Sequence, residues 1–136
     1  KRIVVSDFLF DKDRIFARYN LDDKEFYLYE QLFNLLKLRT LKPDLVIFLQ
    51  AKTDVLKERI EKRKKNYEKS INIKYLDRIN QAFNDFFFHY NETPLLVINA
   101  SEIDFVNVPS DLDNLISEIS KMEKGTKYYV PLRSKD

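Results

Sequence analysis

The chain has 136 residues, a formal net charge of +2 and a single glycine, Gly125. A phosphate-binding loop of the form G-x-x-x-x-G-K-[ST] needs two glycines and the dinucleotide fingerprint G-x-G-x-x-G needs three, so this chain contains neither. The absence of cysteine excludes disulfides and thiolate metal sites. One histidine, His89, disfavours a histidine-based zinc site or a Ser-His-Asp triad.

Charge and hydropathy also argue against nucleic acid and membranes as partners. The 24 basic residues nearly balance the 22 acidic ones, and such a balance does not indicate nucleic-acid binding. No apolar run approaches the roughly 18 residues of a membrane span, and no signal peptide is visible. We therefore expect a cytoplasmic globular protein of one domain. Because the chain begins with Lys1 and not with Met, we also expect that its N-terminus has been cut or left out.

Three short apolar runs predict buried parallel strands, at residues 3–5, 45–49 and 95–98. Their continuous, β-branched character is typical of strands covered on both faces. Polar residues follow each run: Ser6 and Asp7, Gln50, and Asn99. Ligands of open α/β sheets bind beyond the carboxyl ends of the strands, so these positions are the first candidates for chemistry.

Helical patterns fill the intervals between the strands. Asp22-x-x-Glu25 resembles a capping box, and apolar side chains follow it at helical spacing. Thr53 is a candidate cap for the next helix. Residues 73–90 present a broad apolar and aromatic face.

A last helix is predicted to open at Pro109, with Gly125 at its C-terminal stop. The polar residues 124–136 are expected to form a loosely held tail. Strands that alternate with helices predict an α/β fold, a parallel sheet flanked by helices.

The densest charged stretch, residues 58–68, supports three interpretations. Arg59 and Arg63 lie four residues apart and share one helix face, and Lys62 and Lys65 lie on neighbouring faces. Spacing alone favours a solvated helix with Glu-Lys pairs. A cationic lid over a polyphosphate is the functional alternative, because arginine clamps phosphoryl oxygens in bidentate fashion. A nucleic-acid patch is disfavoured, because no stacking aromatics interleave the basic residues.

Four segments in the order of the chain resemble the deoxynucleoside kinase family between Ser6 and about Ile119. The family consists of P-loop kinases that phosphorylate the 5′-hydroxyl of deoxynucleosides. The matching segments are KPDLVIFL at 42–49, RIEKRKKNYE at 59–68, KYL at 74–76, and LVINA at 96–100 together with Asp104 and Phe105. The second segment is similar to the family's lid pattern R-x-x-x-R-x-[RK]-x-x-E. The order and spacing of the four segments together carry the resemblance.

The resemblance implies a role for each matching residue. The lid, at about 59–70, carries cations that contact the ATP phosphates: Arg59, Arg63 and Lys65. Glu68 is implied to bind the sugar 3′-hydroxyl, which a carboxylate does by accepting its hydrogen bond while repelling a 3′-phosphate. Asp104 and Phe105 are implied to lie beside the adenine of ATP. For Phe105 a place in the core is an equally good interpretation, and Glu68 could be an exposed loop carboxylate.

The first strand matches the family less well. The position of the arginine in the family's acidic-Arg-Ser motif holds Asp7, although the following Ile-Phe-Ala at 15–17 fits. Either Asp7 takes the acidic role with a one-residue shift, or Lys12 or Arg14 supplies the cation. A simple turn or helix cap is the structural alternative for Asp7.

The resemblance begins downstream of the family's P-loop and catalytic base. Residues 1–123 are therefore expected to be the C-terminal part of a kinase domain, without its N-terminal strands, and this chain alone is expected to be inactive. In the family the P-loop strand lies between the strands that end here at Asp7 and Gln50. Direct pairing of Val4 with Val46 would contradict that topology.

The favoured function is therefore ATP- and Mg²⁺-dependent phosphorylation of a deoxynucleoside by a longer, homodimeric kinase. A nucleoside monophosphate kinase is a neighbouring alternative. Another is a non-catalytic interaction or dimerisation domain, whose partner surface would be the aromatic stripe of residues 83–90. A place in the core is the favoured interpretation of that stripe.

Overall fold

The computed structural model describes residues 2–7, 9–63 and 71–131. Five helices and three strands lie in these ranges. In chain order they are α1 (Phe10–Asn20), α2 (Asp23–Lys37), β1 (Val46–Gln50), α3 (Thr53–Arg63), α4 (Ile73–His89), β2 (Leu95–Asn99), α5 (Pro109–Ser120) and β3 (Thr126–Tyr129).

The strands form a parallel sheet in the order β1-β2-β3. Val46 pairs with Leu95 and Gln50 pairs with Asn99, so the carboxyl ends of β1 and β2 lie side by side. The four residues Leu95 to Ile98 are at most 3% exposed, as the apolar run predicts for a central strand. The predicted α/β architecture, a parallel sheet flanked by helices, is confirmed.

Helices cover the two faces of the sheet through separate apolar clusters. On one face, Phe87 of α4 and Tyr90, the residue that follows α4, pack against Val46, Leu95 and Val97. On the other face, Leu115 of α5 packs against Leu96 and Ile98. The aromatic stripe of α4 is thus mainly core, although Phe88 is 73% exposed.

Local sequence explains where two of the helices begin. Asp22 accepts a hydrogen bond from the Glu25 amide and the Glu25 side chain accepts one from the Asp22 amide, which completes the predicted capping box. The Asn72 side chain accepts from the amides of Lys74 and Tyr75 at the start of α4. Thr53, by contrast, is already the first residue of α3, and its hydroxyl donates to Asp77 of α4. The predicted cap is therefore wrong.

The predicted first strand is not formed. Residues 2–6 have no regular structure, and Ile3, Val4 and Val5 are 86% to 91% exposed. A β-branched run becomes a strand only when a neighbouring strand satisfies its backbone groups, and in the described part of the chain these residues have no such neighbour. Val46 pairs with Leu95 and not with Val4.

The expectation of a loose tail after residue 124 is also wrong in part, because Thr126–Tyr129 forms β3 alongside β2. Gly125 does not end α5, which stops at Ser120. It adopts a φ of 82° and its carbonyl accepts a hydrogen bond from the Leu95 amide. A positive φ favours glycine, so Gly125 sets the turn into β3.

Candidate functional site

The carboxyl ends of β1 and β2 carry the polar residues that the sequence singled out. The side-chain nitrogen Nε2 of Gln50 donates to Asn84 Oδ1 at 2.9 Å, and Asn99 Oδ1 accepts from the backbone amide of Ser101 at 3.1 Å. Both side chains are therefore used to shape the segments that leave the sheet. These segments place α3 and the loop of residues 100–107, here called the β2-exit loop, at the same edge.

A polar network that the sequence analysis missed fixes the start of α3 on α4. The Thr53 hydroxyl donates to Asp77 Oδ1 at 2.7 Å and accepts from Asn80 Nδ2 at 3.2 Å. Asn80 also donates to the carbonyl of Ala51 at 3.0 Å. The available signal was the spacing of Asp77, Asn80 and Asn84, a polar stripe on an otherwise apolar helix. Because of this network, α3 leaves the sheet in a fixed direction.

The side chain of Arg59 connects α3 to the β2-exit loop. Its Nη2 donates to the Ala100 carbonyl at 2.7 Å and to the Ile103 carbonyl at 3.0 Å. The side chain is half-buried. The helix face that was predicted to carry cations thus points at the edge of the sheet where a ligand is expected.

Arg63 is the last residue of α3 and is exposed. It lies one helical turn beyond Arg59 on the same face, so the two residues form a cationic edge along α3. Lys62 belongs to the solvated side of α3, where its Nζ pairs with Glu58 at 2.7 Å. The predicted lid residues Lys65 and Glu68 lie outside the described residues.

Asp104 and Phe105 occupy the β2-exit loop. Asp104 Oδ1 accepts from the amides of Val106 and Asn107, at 3.2 and 3.0 Å, and Oδ2 accepts from Asn107 Nδ2 at 2.8 Å. These hydrogen bonds, those from Asn107 above all, lower the pKa of the Asp104 carboxyl. Phe105 is half-buried against the apolar cluster on the α5 face. The loop therefore has a defined shape.

Asp7 lies on the surface, three residues before α1. Of the two residues expected to supply the cation of the family's motif, Lys12 and Arg14, the second forms a bidentate ion pair with Glu30 of α2, with 3.0 Å between Nη2 and Oε2. That pairing raises the pKa of the guanidinium, against the effect of burial. Lys12 is half-buried. Arg14 thus joins α1 to α2.

The donor set does not form a metal centre by itself. Within residues 2–7, 9–63 and 71–131 there is no group of three or more His, Asp or Glu side chains placed to hold a metal ion. Mg²⁺ in kinases is held largely by the phosphates of its nucleotide and by one or two carboxylates. An Mg²⁺ ion at this site would therefore need ATP for most of its ligands.

None of the described helices is long and apolar enough to cross a bilayer.

Comparisons with known proteins point to one family of kinases. The family model described as "Deoxynucleoside kinase" matches residues 1–123. The chain is 26% identical to a deoxyguanosine kinase of Bacillus subtilis, over 88% of this chain and 59% of that protein. It is 28% identical to a deoxyadenosine kinase of Lactobacillus acidophilus, over 86% and 61%, and 31% identical to a deoxyadenosine kinase of Dictyostelium discoideum, over 82% and 47%.

The chain thus spans about half to three fifths of the length of these relatives. The family match covers β1, β2 and α1 to α5, and with them Arg59, Arg63 and the β2-exit loop, and it ends before β3. On this match, the chain belongs to the deoxynucleoside kinase family.

Proposed function

We propose that the protein containing this chain transfers the γ-phosphoryl group of ATP to the 5′-hydroxyl of a deoxynucleoside. The new bond joins O5′ to the γ-phosphorus, the bond from that phosphorus to the β,γ-bridging oxygen breaks, and the hydroxyl proton passes to a general base. The products are ADP and a deoxynucleoside 5′-monophosphate. Relatives that are named deoxyguanosine kinase and deoxyadenosine kinase support a purine deoxynucleoside as the acceptor.

The observation that carries the proposal is the cationic edge of α3. The Thr53–Asp77 contact fixes the start of the helix, Arg59 reaches the β2-exit loop, and the exposed Arg63 is the last residue of the helix. A phosphoryl group in flight carries charge on its equatorial oxygens, and a guanidinium placed there lowers the barrier by stabilising that charge. In this proposal Lys65 adds a second lid cation.

The deoxynucleoside acceptor and the adenine of ATP are proposed to lie on either side of that edge. Glu68 would accept a hydrogen bond from the sugar 3′-hydroxyl, and Asp7 would lie near the 5′-hydroxyl. Asp104 and Phe105 would flank the adenine of ATP, since the β2-exit loop that holds them is shaped by its own hydrogen bonds. Mg²⁺ would enter with the ATP phosphates.

Exposed leucines on α2 support the proposal that the kinase is a homodimer. Leu28, Leu32 and Leu35 are 62% to 65% exposed and recur at helical spacing. Such a stripe is typical of helices that pair with a second apolar helix. Light scattering of the eluting full-length protein should give twice the monomer mass.

The test of the function is a coupled assay of ADP release by the full-length protein, with Arg63→Ala and Glu68→Ala compared with the wild type. ADP release should require a deoxynucleoside. Arg63→Ala should lower kcat about 100-fold or more, the effect of removing one positioned donor from a developing anion. Glu68→Ala should raise KM for the deoxynucleoside and should remove the preference over its 3′-deoxy analogue.

Lys62→Ala is the matched control, because it removes a cation from the solvated side of the same helix. It should leave kcat within about twofold, as expected for an exposed ion pair. Release that required a nucleoside monophosphate would identify a monophosphate kinase. No release with any acceptor would favour the interaction domain, and unchanged rates in both site variants would remove the lid assignment.

A further inference from the structure

The β2-exit loop is fastened to the segment that leaves β1 at successive points. The Ala100 amide donates to the Gln50 carbonyl at 2.7 Å, and the Lys52 amide donates to Ser101 Oγ at 3.0 Å. The two hydrogen bonds from Arg59 to the Ala100 and Ile103 carbonyls follow. The first contacts come from backbone next to the sheet, whereas Arg59 reaches furthest along the loop.

Arg59 joins two carbonyls of this loop through one nitrogen atom. The carbonyls that its Nη2 bridges belong to residues three apart in the chain, Ala100 and Ile103, which are 2% and 6% exposed. A charged donor shared by two carbonyls holds them more firmly than a neutral donor does. Without it, two carbonyls of a buried segment would have to find other donors.

The position of Ile103 decides the position of the two residues after it. Asp104 is bonded through its amide to Asp111 Oδ2 at 3.1 Å and through its carbonyl to the Val108 amide at 2.8 Å, so the far end of the loop is held by α5. The near end is held by Arg59. Asp104 and Phe105 lie between these two anchors.

We infer that Arg59 is a positioning residue for the base of the nucleotide donor, acting through the β2-exit loop, and that the phosphates are left to Arg63 and the residues beyond it. This inference rests on the proposed function, in which Asp104 and Phe105 flank the adenine. Four residues of helix separate the two arginines by about 6 Å along its axis. That distance suits a division between the base and the phosphates of one nucleotide.

The experiment compares ATP with GTP as phosphoryl donors in the full-length enzyme, because the two share their phosphates and differ in their base. Arg59→Ala should lower the ratio of kcat/KM for ATP to that for GTP about tenfold, the effect expected when a charge-assisted hydrogen bond no longer fixes the loop. It should leave KM for the deoxynucleoside unchanged. Arg63→Ala should lower kcat/KM for both donors by the same factor, and Lys62→Ala should change neither.

A ratio of two donors does not depend on the fraction of active enzyme, so partial unfolding of a variant cannot imitate the effect. Amide hydrogen exchange of the β2-exit loop gives a second measurement that needs no activity. Exchange of the Ser101 to Val106 amides should accelerate in Arg59→Ala, because the donor to the Ala100 and Ile103 carbonyls is lost.

Equal losses with ATP and GTP in Arg59→Ala, with loop exchange as in the wild type, would show that Arg59 acts on the phosphates and would overturn the inference. That outcome differs from failure of the proposed function, in which the wild-type protein itself forms no ADP in the presence of a deoxynucleoside.

Discussion

The buried carboxylate of α1 offers a sharp test of how the helical layer is held together. Asp11 is 5% exposed, and Oδ1 accepts a hydrogen bond from Lys37 Nζ of α2 at 2.9 Å. The same Nζ donates to Glu92 at 3.0 Å, so one ammonium joins α1, α2 and the segment before β2. Although burial disfavours the ammonium, its hydrogen bonds to Asp11 and Glu92 raise the pKa of Lys37.

Lys37→Met should therefore lower the free energy of unfolding by about 2–4 kcal/mol. Breaking a buried pair by removing one partner typically costs about 3–5 kcal/mol, and the value here is reduced because the Lys37 side chain is 34% exposed. Asp11→Asn should cost less, since it leaves no buried charge. The pair Asp11→Asn and Lys37→Met should cost at least about 1 kcal/mol less than the sum of the two single changes.

Equilibrium urea unfolding of the four proteins in this cycle measures the coupling. Arg18→Ala is the control, because Arg18 also pairs between the two helices but at 3.6 Å and with an exposed partner, Asp23. It should cost less than about 1 kcal/mol. Strict additivity of Asp11→Asn and Lys37→Met would contradict this prediction, because it would mean that the buried carboxylate gains nothing from the ammonium.

Three further changes test the sheet, the anchor of α3 and the β2-exit loop. Leu96→Ala, at a fully buried position, should cost about 2–5 kcal/mol in urea unfolding; a cost below 1 kcal/mol would contradict the buried central strand. Asp77→Ala should remove the acceptor of the Thr53 hydroxyl and accelerate amide exchange in the first turn of α3, whereas unchanged exchange would show that the start of α3 does not depend on that contact. Because the pKa of Asp104 is lowered in the folded protein, its contribution to stability is present above the ordinary pKa and is lost as the pH falls through the folded value. The NMR signal of the Asn107 amide should therefore titrate at a pH below the ordinary pKa of an aspartate carboxyl. Loss of that titration in Asp104→Asn would confirm that it reports Asp104, whereas a titration that persists in Asp104→Asn would exclude it.

Local pattern predicts those parts of the fold whose signals are local. The capping box at Asp22 and the apolar run of β2 were both confirmed, because a cap needs only its own helix and a central strand is apolar on both faces. Residues 3–5 are apolar like the run of β2 and remain exposed, since the composition of a run does not say whether a neighbouring strand exists. The polar Thr126–Tyr129 becomes a strand because β2 offers it a partner.

The site was predictable to the same extent. Helical spacing placed Arg59 and Arg63 on one face, and the strand ends indicated the edge of the sheet where the loop that Arg59 contacts begins. Spacing could not show that Arg59 meets the carbonyls of Ala100 and Ile103, because those contacts cross more than 40 positions of sequence and depend on how the β2-exit loop turns. The anchor at Asp77 was missed for the same reason.

Phosphorus NMR of the products that the full-length protein forms from ATP and a purine deoxynucleoside tests the proposed reaction itself. We expect equal amounts of ADP and a deoxynucleoside 5′-monophosphate, and no new phosphate ester when the acceptor lacks its 5′-hydroxyl. Phosphate on the 3′-oxygen, or a product formed equally from the 5′-deoxy acceptor, would contradict it.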